Sequence, residues 1–214
     1  MTKTLPTLEA CLTEMPLIAI LRGITPTEAK DVVDLLFEEG FRIVEVPMNS
    51  PEAFESIRIM TEAHGDMMLT GAGTVQTTEQ IDKVAAAGGR LIVSPHFDPE
   101  VVSYTKAKGL YSAPGVMTPS EGFAALKLGA DCLKFFPAEM AAPKVIKAMR
   151  AVLPKDCTVV PVGGINETNM ADYWAVGSNG FGIGGNLYTP GKALNDIRAV
   201  AKCMVETAQS LKKS

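Results

Sequence analysis

The chain has only two histidines, His64 and His96, among 214 residues, and neither has a partner at metal-ligand spacing. Its four cysteines, Cys11, Cys132, Cys157 and Cys203, lie far apart with no Cys-x-x-Cys pair. They read as reduced thiols, not as a zinc site or a disulfide frame. Metal catalysis therefore has little support, and no metal is expected. No apolar run approaches the roughly 20 residues of a membrane span. The opening Met1-Thr2-Lys3-Thr4-Leu5-Pro6 lacks the apolar core of a signal peptide, so a cytoplasmic location is expected. Basic and acidic residues, 20 and 24 in number, are interspersed and leave a net charge of −4. No basic stretch or basic-aromatic patch points to nucleic acid.

What the chain does have is apolar material: 47% of its residues are hydrophobic. That suffices for one sizeable core, so residues 1–214 are expected to form a single domain. Strand-like apolar runs begin near Leu17, Ile43, Met68, Leu91, Leu110, Cys132, Thr158 and Gly180, roughly 20 to 26 residues apart. Helical patterns with clear start signals lie between them. Thr25-Pro26-Thr27-Glu28 forms a capping box with proline at the first helical position. Ala29, Val32, Val33 and Leu36 follow at helical period, and Gly40 is placed to end that helix. Ser50-Pro51, Thr77-Thr78-Glu79-Gln80, Asp98-Pro99 and Thr118-Pro119-Ser120-Glu121 open further helices, with Asn166 and Asn169 as later candidate caps. Gly88, Gly109 and Gly129 sit at matching ends, and Val200 and Met204 suit a last amphipathic helix. Strict strand-helix alternation implies a parallel sheet. Eight such units predict an α/β fold of (β/α)8 TIM-barrel type. A doubly wound sheet would carry a dinucleotide fingerprint after its first strand, and Arg22-Gly23-Ile24-Thr25 is not one. Residues 1–15 are expected to add an N-terminal helix across or against the barrel's bottom.

Polar residues at the predicted C-terminal strand ends are Arg22, Glu45, Thr74, Ser94 and Lys134, where barrels place chemistry. Lys134 lies in the apolar run Cys132-Leu133-Lys134-Phe135-Phe136-Pro137. Burial disfavours its charged form, and a neutral amine attacks carbonyl carbon. The plain alternative is a lysine that is ion-paired or reaches the rim. Glu45, after Ile43-Val44, reads as a general acid/base or as the ion-pair partner of Lys134 or Arg22. Arg22 reads as a structural cation or as a fork for a substrate carboxylate. Period-two alternation groups Ile18, Ile20 and Arg22; Ile43, Glu45 and Pro47; Thr70, Ala72 and Thr74; and Cys132, Lys134 and Phe136. If these faces point inward, Arg22, Glu45, Thr74 and Lys134 meet at the mouth. Val162-Gly163-Gly164-Ile165 and Gly182-Ile183-Gly184-Gly185-Asn186 follow the last two strands. Backbone amides of such loops, aided by a helix N-terminus, suit a phosphate.

The chain resembles the KDPG/KHG aldolase family of class I, Schiff-base aldolases. The resemblance rests on Ile43-Val44-Glu45-Val46-Pro47, Gly71-Ala72-Gly73-Thr74-Val75, Ser94-Pro95, Ala113-Pro114-Gly115-Val116, Leu133-Lys134-Phe135-Phe136-Pro137-Ala138-Glu139 and Pro161-Val162-Gly163-Gly164-Ile165. These segments run in the family's order from about Pro16 to Leu194. Leu17 to Pro26 and Pro47-Met48-Asn49-Ser50-Pro51 are most similar to its galactonate-type branch, because gluconate-type members usually carry arginine in place of Asn49. The galactonate-type member departs from this chain at Gly185, where it has a serine.

The resemblance implies that Lys134 forms an iminium with the C2 ketone of a phosphorylated 2-keto-3-deoxy sugar acid, and that Glu45 shuttles protons. Thr74 would orient Glu45 or bind the pyruvyl carboxylate, and Arg22 would bind substrate. Backbone amides of Gly164, Gly184 and Gly185 would hold the phosphate, with Gly163 shaping the turn. The implied products are pyruvate and glyceraldehyde 3-phosphate, and the implied assembly is a homotrimer. Other readings share parts of this pattern: a gluconate-epimer or 4-hydroxy-2-oxoglutarate specificity in the same family, a phosphate-binding barrel isomerase or epimerase, or a non-catalytic phosphosugar-binding protein.

Overall fold

In the computed structural model, which describes residues 5–213, every predicted run becomes a strand starting within one residue of its expected position. The strands are β1 (Leu17–Ile20), β2 (Ile43–Pro47), β3 (Leu69–Gly73), β4 (Leu91–Val93), β5 (Tyr111–Ala113), β6 (Gly115–Val116), β7 (Leu133–Phe135), β8 (Val159–Pro161) and β9 (Phe181–Ile183). The fifth run is thus divided in two by Pro114, which has no N–H to donate to a ladder. Its carbonyl still accepts from Lys134 N at 3.0 Å.

All ladders are parallel. One sheet has the order β5-β4-β3-β2-β1-β9 and the other β6-β7-β8. The expected uninterrupted eight-stranded ladder is therefore met as a curled parallel α/β arrangement in two sheets. Isolated backbone links cross both gaps. Cys132 N donates to Ser112 O at 3.2 Å, Asn179 N donates to Val159 O at 2.8 Å, and Val162 bridges Gly182.

Helices α1 (Leu8–Glu14), α2 (Pro26–Glu38), α3 (Ala53–His64), α4 (Thr78–Ala86), α5 (Pro99–Ala107), α6 (Pro119–Lys127), α7 (Pro143–Arg150), α8 (Met170–Ala175) and α9 (Leu194–Leu211) fill the connections. Local caps explain their starts. Glu28 accepts from Thr25 N at 3.3 Å and from Thr25 Oγ1 at 2.7 Å, while Thr77 and Thr118 form full capping boxes. Asn169 caps α8. Ser50 does not cap α3. That helix begins after Glu52, whose φ is 43°, and the Ser50 hydroxyl instead accepts from Gly23 N at 2.9 Å. No helix of the described residues is long and apolar enough to cross a membrane.

Two apolar clusters follow from the pleat. Val44, Val46 and Ala72 face the helices, whereas Ile18, Ile20, Ile43, Leu69, Leu91 and Val160 fill the inside of the curled sheet. Leu8, Cys11 and Leu12 of α1 join the inner cluster and close it at the N-terminal ends of the strands. Residues 1–4 of the expected N-terminal helix lie outside the described residues. The β3 faces are the reverse of those expected. Ala72 packs outward, and Thr70 Oγ1 lies 2.7 Å from Thr61 Oγ1 of α3. The inward positions are Leu69, Gly71 and Gly73. Two glycines carry no hydrophobic signal, so an alternation count locks onto the wrong face.

Candidate active site

Lys134 stands in the middle of β7, buried to 6% exposure, with its Nζ 4.6 Å from the Phe136 ring centroid. Phe136 is two residues on and so shares the inward face. Burial pulls the Lys134 pKa below its usual value; Glu45 opposes this and Arg22 adds to it. A larger fraction of neutral amine at working pH follows.

Glu45 of β2 is 2% exposed, and its Oε2 is buried without a hydrogen-bond partner. Burial raises its pKa to about 7, with Lys134 and then Arg22 pulling the other way. Among the described residues no ion pair within 4.0 Å joins Glu45 to either cation, so the simple ion-pair alternative is not realised. A titrating acid near neutrality can both give and take a proton. Between the two residues lies a narrow cavity of about 10 Å³, about enough for one water. Ile18, Ile20, Val93, Val160 and Val162 supply its apolar wall.

Arg22 is exposed at the mouth. Its Nη1 donates to Asn49 Oδ1 at 2.6 Å, and its Nη2 reaches Thr74 Oγ1 at 3.5 Å. Thr74 follows β3 with φ 57°. This left-handed residue breaks the pleat and returns its hydroxyl to the mouth despite the reversed faces of β3. Thr74 thus meets Arg22, and no hydrogen bond to Glu45 is present among the described residues. Ser94 is buried and donates to His96 O at 3.0 Å, shaping the turn after β4. It does not join the mouth cluster.

The two glycine loops are adjacent. Asn186 Nδ2 donates to Ile165 O at 3.3 Å. Gly163 and Gly164 have φ of 106° and 67°, and Gly164 O accepts from Asn169 Nδ2 at 2.8 Å. Gly184 O accepts from Leu187 N at 2.8 Å and Tyr188 N at 3.1 Å. The N–H groups of Gly164, Gly184 and Gly185 donate in no hydrogen bond among the described residues. A Cβ built on Gly185 meets nothing within 4 Å, so that position is open. The expected helix N-terminus does not adjoin these glycines directly, since α8 starts at Met170 and α9 at Leu194. Loop amides must supply the positive potential.

Two features of this site were not read from the sequence. Gly73 lies beneath Glu45, and a Cβ built there would overlap both carboxylate oxygens. The Asn49–Arg22 bond links the loop after β2 to the loop after β1. Only the register of neighbouring strands, with Pro47 opposite Gly73, brings out the first.

The chain is similar to known proteins over most of its length. The sequence profile of the family described as KDPG and KHG aldolase matches residues 8–203. A Rhizobium meliloti (strain 1021) protein named probable 2-dehydro-3-deoxy-6-phosphogalactonate aldolase is 49% identical over 185 residues, 86% of this chain and 87% of the relative. The Escherichia coli (strain K12) protein named 2-dehydro-3-deoxy-6-phosphogalactonate aldolase is 43% identical over 194 residues, 91% of this chain and 95% of the relative. A solved structure described as native KDPGal superposes with a TM-score of 0.92 at 41% identity, covering 94% of this chain and 98% of the other. The chain belongs to the KDPG and KHG aldolase family.

Proposed function

We propose that the chain is a class I aldolase that reversibly cleaves 2-dehydro-3-deoxy-6-phospho-D-galactonate to pyruvate and D-glyceraldehyde 3-phosphate. The observation that carries the reading is a buried lysine amine in one cavity with a buried, unpartnered glutamate. Two relatives with that name, covering most of the chain, support the choice of substrate.

The neutral Lys134 amine attacks the C2 ketone, and loss of water leaves a protonated iminium. Glu45, as carboxylate, takes the C4 hydroxyl proton while the C3–C4 bond breaks. The bonding electrons move toward the iminium and give a neutral enamine, and the aldehyde departs. Glu45, now protonated, returns its proton to C3. Water then hydrolyses the iminium, releasing pyruvate and restoring Lys134. Arg22, with Thr74 beside it, holds the carboxylate. The amides of Gly164, Gly184 and Gly185 hold the phosphate far from the reacting carbons and fix orientation. Gly163 gives the turn its shape.

The same reading takes residues 1–214 as one (β/α)8 barrel domain with residues 1–15 as an N-terminal extension, assembled as a homotrimer in the cytoplasm. Light scattering that returned a monomer mass would remove the trimer. The function is tested by pyruvate release from the two C4 epimers, coupled to lactate dehydrogenase. Preference for the galactonate epimer is expected. Preference for the gluconate epimer would keep the chemistry and overturn the substrate, and release from neither would overturn both.

A further inference from the structure

Glu28 uses its two carboxylate oxygens for two different tasks. Oε2 closes the capping box at the start of α2, three residues after Arg22. Oε1 lies 3.2 Å from the hydroxyl of Tyr188, which is 160 residues away in the chain and fully buried. Tyr188 belongs to the turn that begins at Gly184, because its own N–H and that of Leu187 donate to Gly184 O. The same two loops touch again two residues further on. Gly23, at φ 85°, leaves room for Pro190, whose Cγ would lie 2.7 Å from a Cβ at residue 23. The turn holding the free Gly184 and Gly185 amides is therefore pinned to the loop holding Arg22.

We infer that Tyr188, anchored on Glu28, is a positioning residue for the phosphate end of the substrate. It sets the Gly184–Gly185 amides at a fixed distance from the carboxylate-binding Arg22. The inference rests on the aldolase reading and deepens it. The chemistry fits the task. A phenol donating to a carboxylate makes a charge-assisted bond, stronger than a neutral one. Burial, and then the Glu28 charge, holds the phenol well above its ordinary pKa, so it stays a donor throughout the working range. Distance between two anion-binding ends matters because amides set away from the phosphate lose their charge-assisted hydrogen bonds to it.

The test is Tyr188→Phe, which keeps the ring and removes the hydroxyl. Condensation of pyruvate with D-glyceraldehyde 3-phosphate is compared with condensation with unphosphorylated D-glyceraldehyde, alongside borohydride trapping with pyruvate alone. The expected result is a KM for the phosphorylated aldehyde raised about 10- to 100-fold, the worth of hydrogen bonds to a charged group. Its kcat should stay within about twofold, with the unphosphorylated reaction and the trapping unchanged. A role in folding alone would move both aldehydes together, and that result, or no change at all, would overturn the inference. If Tyr188→Phe does not fold, Glu28→Gln is measured instead. It keeps an acceptor for Tyr188 without the charge and should give a smaller rise, again confined to the phosphorylated aldehyde. Failure of pyruvate to label the wild-type protein would be different: it would remove the aldolase reading and this inference with it.

Discussion

The carboxylate of Glu45 occupies the space that a side chain on Gly73 would fill. The two residues sit on neighbouring strands, β2 and β3, with Glu45 opposite Gly71 in the ladder. The acid is therefore seated by the absence of a group rather than by a hydrogen bond to its Oε2.

Gly73→Ala is expected to displace Glu45 without touching Lys134. Overpacking of this kind typically costs about 1–3 kcal/mol of stability. Cleavage should fall at least about a hundredfold, the scale of a lost general acid/base. Borohydride labelling by pyruvate should persist. Thermal melts and a labelling assay on the same preparation check both, and wild-type turnover in this variant would refute the seating argument.

Lys134→Ala should abolish the pyruvate adduct and reduce cleavage by several orders of magnitude, since no other lysine shares the cavity. Intact-mass measurement after borohydride reduction reads the adduct directly. Near-wild-type cleavage by this variant would end the Schiff-base mechanism.

Glu45→Gln should retain substrate binding and slow the proton transfers by about 10²–10⁴-fold. Its effect on stability has a definite sign. Glu45 titrates at about 7 when folded against an ordinary value of 4.5. Between those values the native state holds more protons than the unfolded one, so this residue makes stability fall as pH rises through the window. Glu45→Gln should remove that fall and leave the variant more stable than wild type at pH 8, by up to about 3 kcal/mol. Urea titrations at pH 4.5 and pH 8 test the sign. A gap that shrinks toward pH 8 would contradict the burial of a proton-binding Glu45.

Arg22→Ala should raise the KM for pyruvate in the condensation direction by roughly 10- to 100-fold, the worth of hydrogen bonds to a charged group. Asn49→Ala should shift it in the same direction by less, because Asn49 acts through its 2.6 Å bond to Arg22. A pyruvate KM unmoved in both variants would mean that Arg22 is a structural cation.

Much of this was legible in the sequence because it is local. Capping boxes at Thr25, Thr77 and Thr118 involve residues three apart, and each marked its helix correctly. Lys134 and Glu45 stood out as charged residues within apolar runs, and both are buried. What failed depended on neighbours distant in the chain or on missing side chains. The inward face of β3 is built from Gly71 and Gly73, which an alternation count cannot weigh. Thr74 reaches the mouth through a left-handed φ that no periodicity announces. Ser50, a reasonable helix cap by composition, is taken instead by Gly23 N across 27 residues. Pro114 interrupts a strand whose apolar pattern runs straight through it.

The packing of Leu8, Cys11 and Leu12 against the inner cluster gives the catalytic chamber a floor. Among the described residues this floor leaves the mouth as the open end, so whatever binds deepest there enters first and leaves last. In the proposed reaction the three carbons bound to Lys134 would lie deeper than the aldehyde split from them. On the aldolase reading, traffic through this doorway would be sequential: in cleavage the phosphorylated aldehyde would leave before pyruvate, and in synthesis pyruvate would already be seated when the aldehyde arrives.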